Sequence, residues 1–275
     1  MPRDFAYSGA ERSEMVAIFV AVILLPVLMP TRDVMSGSSL AAADEVTWSG
    51  CPPTYVVVAT NKNETNSERC ECTTFGEIHC YNLVAVPAFN NPPSVTWRGV
   101  YMSRQLITEL PSGVFGNLRA SKLVLNFNRL GDRVEAGALA GQETSLAELQ
   151  LAGCGITSFP GGLLVGMEHL QRLHLWGNRL RDFPVRFFRA AAQLQELMLW
   201  NNELENLDPD TLAGLWSLRR LDLDRNSIVE LHKDAFRNLI ELRSLRIAYN
   251  RVQVNSPSNI CLQWRRLHGA RGHRE

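Results

Sequence analysis

Residues 170–180 read LQRLHLWGNRL, residues 194–204 read LQELMLWNNEL, and residues 218–228 read LRRLDLDRNSI. All three fit L-x-x-L-x-L-x-x-N-x-L/I, and successive copies start 24 residues apart. A constant period of this length marks a chain built from stacked supersecondary units. Upstream, Leu146, Leu149, Leu151, Cys154 and Ile156 occupy the same slots, as do Ala120, Leu123, Leu125, Asn128 and Leu130. A degenerate first copy runs through Trp97, Val100, Met102, Gln105 and Ile107, and a last one through Leu242, Leu245, Ile247, Asn250 and Val252. The second apolar slot falls at 100, 123, 149, 173, 197, 221 and 245, with spacings of 23, 26, 24, 24, 24 and 24.

The slots have a physical reading. Leucines two residues apart on a short strand point to the same side, so both face inward. One turn cannot bury them alone, and stacked neighbours do. Each buried Leu or Ile contributes roughly 1.5–3 kcal/mol before conformational entropy is charged. The asparagine column follows each strand, where a side-chain amide can satisfy backbone groups that the ladder leaves over. Phe115, Leu139, Leu164, Phe188, Leu212 and Phe236 are placed to cover the core from the outer side. The expected fold is an α/β-type leucine-rich-repeat solenoid with a curved parallel β-sheet on its concave face.

The flanks complete the organisation. Residues 15–29, MVAIFVAVILLPVLM, are uncharged but span only about 22 Å as a helix, short of a hydrocarbon core of roughly 30 Å. Small residues follow, and Ala41-Ala42-Ala43 has the form of a signal cleavage site. Residues 1–43 are therefore expected to be a signal peptide and leader, 44–96 a cysteine-rich N-terminal cap, 97–254 seven repeats, and 255–275 an incomplete C-terminal cap or tail. A retained anchor, making the chain a membrane-anchored receptor ectodomain, is the alternative. With the signal removed, no other segment is long and apolar enough to span a membrane. Asn63-Glu64-Thr65 is an N-glycosylation sequon in a polar run, consistent with a secreted, extracellular protein.

Cys51, Cys70, Cys72 and Cys80 precede the first repeat. Four cysteines allow three connectivities. Disulfides are favoured over zinc because the group follows a signal-like segment. The arrangement resembles the N-terminal cap of extracellular leucine-rich-repeat proteins, and that resemblance implies Cys51–Cys72 and Cys70–Cys80. A cap is needed because the end of a solenoid exposes core and an unpaired sheet edge. Cys154 sits in an asparagine slot and reads as a small buried group, not a reactive thiol. Cys261 stands in a fragment of a C-terminal cap that lacks the other cysteines.

Nothing in the chain spells catalysis. Lys plus Arg and Asp plus Glu number 28 each, which leaves no electrostatic footprint for nucleic acid. The 45% apolar content is too high for a disordered chain. The six histidines and scattered acids form no metalloprotease, esterase, P-loop or dinucleotide motif. Asp222 and Asp224, with Asp208 and Asp210 one repeat earlier, read as solvated polar positions more readily than as a calcium site, since no ligand loop accompanies them. No catalytic residue, metal site or cofactor is assigned, and the chain is read as a non-enzyme.

Information concentrates on the concave face. The residues before the second slot alternate in sign, Lys122, Glu148, Arg172, Glu196 and Arg220, and should pair across strands. Trp176 and Trp200 lie one period apart, so they should stand side by side, with His174 and Met198 beside them and Phe127 and Tyr101 further along. Exposed clusters of Trp, Tyr and Met are enriched at interface centres. These six residues are the candidate partner-binding set for an extracellular protein ligand.

Residues 70–80 (CECTTFGEIHC), 113–116 (GVFG) and 135–141 (EAGALAG) also resemble a family of arthropod secreted proteins. It is named after the non-catalytic subunit of the shrimp luciferase, Oplophorus-luciferin 2-monooxygenase. The resemblance extends over roughly residues 51–250. It implies a separate catalytic subunit that performs the oxidation, with this chain stabilising or scaffolding it, and it supplies no catalytic residues.

Overall fold

A computed structural model describes residues 68–73, 75–89 and 95–252. Strand β1 (Arg69–Cys72) turns back onto β2 (Glu77–Tyr81) as an antiparallel pair. The repeats then supply β3 (Gly99–Tyr101), β4 (Lys122–Val124), β5 (Glu148–Gln150), β6 (Arg172–His174), β7 (Glu196–Met198), β9 (Arg220–Asp222) and β11 (Ser244–Arg246). Among the described residues these form one nine-stranded sheet in the order β1-β2-β3-β4-β5-β6-β7-β9-β11, parallel from β2 onward. A second, two-stranded parallel sheet joins β8 (Asn206–Leu207) to β10 (Glu230–Leu231). The chain is a leucine-rich-repeat solenoid.

Register follows the sequence period without a slip. Leu123, Leu149, Leu173, Leu197, Leu221 and Leu245 are aligned on successive strands. All but Leu245 are buried, as are Leu125, Leu151, Leu175, Leu199 and Leu223 two residues on. The outer wall is closed by Phe115, Leu139, Leu164, Phe188, Leu212 and Phe236, each at most 2% exposed. One continuous core runs from Cys70 to Leu242. Its densest aromatic packing is around Phe159, Phe183, Phe187 and Phe188, with ring centroids 4.9–5.5 Å apart.

The returning segments contain almost no helix. Among the described residues the one helical element is a 3-10 turn, Phe187–Ala190. The other returns are successive turns, in which glycines adopt φ values no helix accepts. At Gly214 φ is +95°, and a Cβ would lie 2.7 Å from the Cα of Arg189 in the preceding turn. Only glycine lets the two backbones approach that closely.

The asparagine column does what its position requires. In Asn178, Nδ2 donates to the carbonyls of Leu151 and Leu175, both at 2.8 Å, and Oδ1 accepts from the Cys154 and Ile156 amides. Asn128, Asn202, Asn226 and Asn250 repeat the arrangement, each bonding to its own strand and to the preceding turn. Gln105 takes the part in the first repeat, accepting from the Leu83 amide at 2.9 Å. Fully buried Gln142 adds a bond of the same kind that the repeat pattern does not announce. It donates to the Leu118 carbonyl and accepts from the Ala120 amide.

At the N-terminal end Cys70 and Cys80 are directly opposite in β1–β2 and joined by a disulfide. Cys72 is also disulfide-bonded. Cys51, the partner expected for it, lies outside the described residues, as do Asn63, the 1–43 leader, Cys261 and the 255–275 tail. Among the described residues no helix is long and apolar enough to cross a membrane.

Candidate binding face

A left-handed residue follows each strand of the main sheet from β2 onward. Asn82, Arg104, Phe127, Gly153, Gly177, Asn201, Arg225 and Tyr249 all have φ between 56° and 71°, one position before the asparagine slot or its equivalent. This turn swings the chain inward so that the slot residue reaches back under the strand. It also throws the left-handed side chain along one rim of the concave face. Arg104 lies over the Phe127 ring at 5.2 Å, and Arg225 lies over Tyr249 at 5.3 Å. Both are cation–π contacts between successive turns.

The tryptophans stand where the period puts them. Trp176 and Trp200 are stacked with centroids 4.6 Å apart and planes within 9°, matching the strand spacing. Phe127, 42% exposed, meets the edge of Trp176 at 5.5 Å. The Phe127 ring occupies the space over Gly153, where a Cβ would fall 2.5 Å from it. Arg104, Phe127, Trp176 and Trp200 therefore form one continuous ridge along the rim. His174 and Met198 sit directly opposite each other on β6 and β7, half-buried beside it. His174 bonds to Glu196 at 3.2 Å.

Tyr101 is separate. It lies on β3, three strand spacings from β6, about 14 Å away. Its ring stacks on His79 at 4.6 Å and its hydroxyl donates to Glu77 at 3.2 Å. Burial and the Glu77 charge push its pKa up, so it stays a neutral donor. The six candidate residues thus divide into five on or beside the ridge and Tyr101, which pairs with His79 near the cap.

Charges run beside the ridge. Glu148 bridges Lys122 at 3.0 Å and Arg172 at 2.8 Å, and Glu196 meets Arg220 at 3.3 Å. Burial alone would push the Glu148 carboxyl up. Hydrogen bonds from Arg172, Lys122 and Gln150, with the Lys122 charge, outweigh it and hold the pKa at about 2.

Asp222 and Asp224 are not the solvated positions that the sequence suggests. Asp224 is buried, accepting from the Ala248 amide at 2.7 Å and from Arg246 at 2.9 Å. Asp222 shares the same guanidinium at 3.6 Å, and burial pushes its carboxyl up, reinforced by the Asp224 charge. Asp208 and Asp210 do not join them. They follow β8 in the smaller sheet, where Asp210 faces Arg237 at 4.0 Å. The Asp222–Asp224 pair is thus filled by an internal cation.

Cys154 is 1% exposed and its Sγ points to the Leu125 carbonyl at 3.2 Å. Burial pushes its thiol up to about 11, so no nucleophile resides there.

Residues 192–252 match a family model described as leucine rich repeat. No curated protein matches the chain. Among solved structures, a chain of the TLR13–ssRNA13 complex is 28% identical with a TM-score of 0.55, over 58% of this chain and 22% of that one. Internalin C2 of Listeria monocytogenes is 25% identical with a TM-score of 0.52, over 67% and 76%. A chain of the octameric complex of Latrophilin 3, Unc5D and FLRT2 shares the fold at 24% identity and a TM-score of 0.52, over 66% and 54%. This chain therefore spans about a fifth of the TLR13 chain and about half of the chain in the octameric complex.

Proposed function

We propose that this chain is a secreted, non-catalytic recognition or scaffold protein that holds a protein partner on its concave face. The observation that carries the reading is the ridge Phe127–Trp176–Trp200 with Met198 and His174 beside it. The repeat can do without it, since the equivalent positions in other turns hold Asn126, Ala152, Asp224 and Ala248. Phe127 is exposed while Trp176 and Trp200 are half-buried against each other, and large aromatics that the repeat does not require at such positions fit an interface centre. The disulfide-bonded cap fits an oxidising, extracellular setting. The similar TLR13 structure is a complex with an RNA, ssRNA13, so it supports the holding of a ligand by this repeat type and not the protein nature of that ligand.

A stabilising subunit for a secreted monooxygenase is one instance of this role, and the local wording of residues 70–80, 113–116 and 135–141 favours it. Chemical crosslinking of the tagged full chain in its native extracellular fluid tests both. A partner captured by the wild type and lost by Trp176→Ala/Trp200→Ala, with circular dichroism unchanged, supports the reading. Equal capture by both refutes it. Stoichiometric copurification of a small oxidising chain identifies the subunit role.

A further inference from the structure

The concave ladder is balanced in formal charge but not in what it shows to solvent. The carboxylate side chains of Glu148, Glu196, Asp222 and Asp224 are only 7–19% exposed. Their arginine partners, Arg172, Arg220 and Arg246, are 46–64% exposed, and Lys122 is 31% exposed. The acids are drawn down against the strands and the guanidinium groups stand above them. Exposed Arg219 and Arg243 extend the layer at the strand starts.

The bonding atoms sharpen the point. Arg172 and Arg246 each engage their carboxylate through Nε. That leaves the terminal Nη groups, among the described residues, without a carboxylate. A guanidinium anchored at Nε keeps a planar pair of donors aimed outward, the geometry that takes a carboxylate in a two-point grip. The anchor also removes side-chain freedom in advance, so less is lost when the second carboxylate arrives.

From this we infer that the occupant of the concave face is an acidic, apolar-bearing polypeptide segment. Its Asp or Glu side chains are taken by the outward Nη pairs of Arg172 and Arg246, while Arg220, whose Nη1 is held by Glu196, adds positive charge beside them, and its apolar side chains rest on Trp176, Met198 and Trp200. A purely polyanionic occupant, such as a sulfated glycan, fits less well. It would leave the aromatic ridge uncovered and would meet the four carboxylates behind the guanidinium layer. A basic segment would meet like charge first. The inference rests on the concave-face reading above and adds the chemistry of the partner.

The experiment uses the full secreted chain and three fluorescent peptides of equal length, in which leucine and phenylalanine alternate with glutamate, glutamine or lysine. A heparin oligosaccharide is the fourth probe, and anisotropy gives affinity at low and moderate salt. The glutamate peptide is expected to bind at least about tenfold more tightly than the lysine peptide and to weaken as salt rises. Arg172→Gln/Arg246→Gln should remove that preference. Arg172→Lys/Arg246→Lys, which keeps the charge and the ladder, should retain only part of it. Unchanged circular dichroism guards the reading against misfolding.

If all three peptides bind alike and Trp176→Ala/Trp200→Ala abolishes them, the charge inference falls and the docking reading stands. Heparin binding more tightly than the glutamate peptide also overturns the inference. If no peptide binds, or the tryptophan variant binds each as well as the wild type, the docking reading falls with it.

Discussion

Replacing Cys154 by asparagine should stabilise the protein. In the four asparagine slots that follow Cys154, Oδ1 accepts the amide of the buried residue that follows the slot one turn earlier: Ile156, Leu180, Leu204 and Ile228, at 3.1 Å. At Cys154 the residue in that relation is Leu130, which is fully buried. A thiol offers it no oxygen, and among the described residues the Leu130 N–H has no hydrogen-bond acceptor. The Cys154 side chain makes only sulfur contacts, to the Leu125 carbonyl at 3.2 Å and the Ala152 carbonyl at 3.5 Å. An unsatisfied buried donor costs about 1–3 kcal/mol, and an amide also gives two good donors where the thiol gives weak ones. Against this stands the loss of a small apolar side chain from a tight site, about 1 kcal/mol.

The net gain should be about 1 kcal/mol, or roughly 2–4 °C in the thermal midpoint of a domain this size. Thermal and urea unfolding of the oxidised chain would measure it, with two controls. Cys154→Ala should destabilise, because it removes packing without supplying an acceptor. Asn202→Ala should cost about 2 kcal/mol, because it strands the Leu180 amide and leaves the Leu175 and Leu199 carbonyls with one asparagine donor each, Asn178 and Asn226. If Cys154→Asn lowers stability while Asn202→Ala is neutral, the ladder is not the energetic device described here. If Cys154→Asn destabilises and Asn202→Ala is costly, packing at Cys154 outweighs its missing bond.

Three further outcomes follow from the same geometry. The Glu148 carboxyl is held at about 2 against an ordinary 4.5, so it contributes stability above pH 4.5 that is lost as pH falls through 2. Glu148→Gln should cost about 3 kcal/mol at neutral pH and flatten the acid limb of the stability profile. Asp222 is shifted the other way, so its ionised form opposes folding as pH rises. Asp222→Asn keeps the acceptor for the Asp224 amide and should be neutral or stabilising at pH 7, measured by urea midpoint. Gly214→Ala should destabilise by about 2 kcal/mol or more, because it adds left-handed strain and a clash with Arg189 backbone. An unchanged thermal midpoint would show that the two turns can separate freely.

The legible parts of this molecule are those in which one side-chain type answers one physical demand in every turn. Leucine recurs at 149, 173, 197 and 221 because nothing else about those positions varies, and the strands fall there in register. The asparagines are legible for the same reason, since theirs is the shortest side chain that donates twice and accepts at once. The left-handed position is equally regular in the backbone, yet it reads Arg104, Phe127, Gly153, Gly177, Asn201, Arg225 and Tyr249. Its demand is on φ, which glycine meets without strain and other residues meet at a cost recovered elsewhere. No common chemistry therefore betrays it.

The candidate binding face was legible in the same uneven way. One period between Trp176 and Trp200 sufficed to place them side by side, because adjacent strands fix that distance. Whether Asp224 faces water or an arginine depended on Arg246, one turn on, whose side chain reaches back at an angle that periodicity does not encode. The same limit hid the depth of the charges. An alternating column of acids and bases says that neighbours attract; it does not say which partner lies underneath. Carboxylates sit on short side chains and accept backbone and arginine donors close to the sheet, whereas a guanidinium on a long side chain can pair downward through Nε and still project its far edge. On a strand face the longer partner ends up outermost, so a ladder that is neutral on paper presents its cations to an approaching surface.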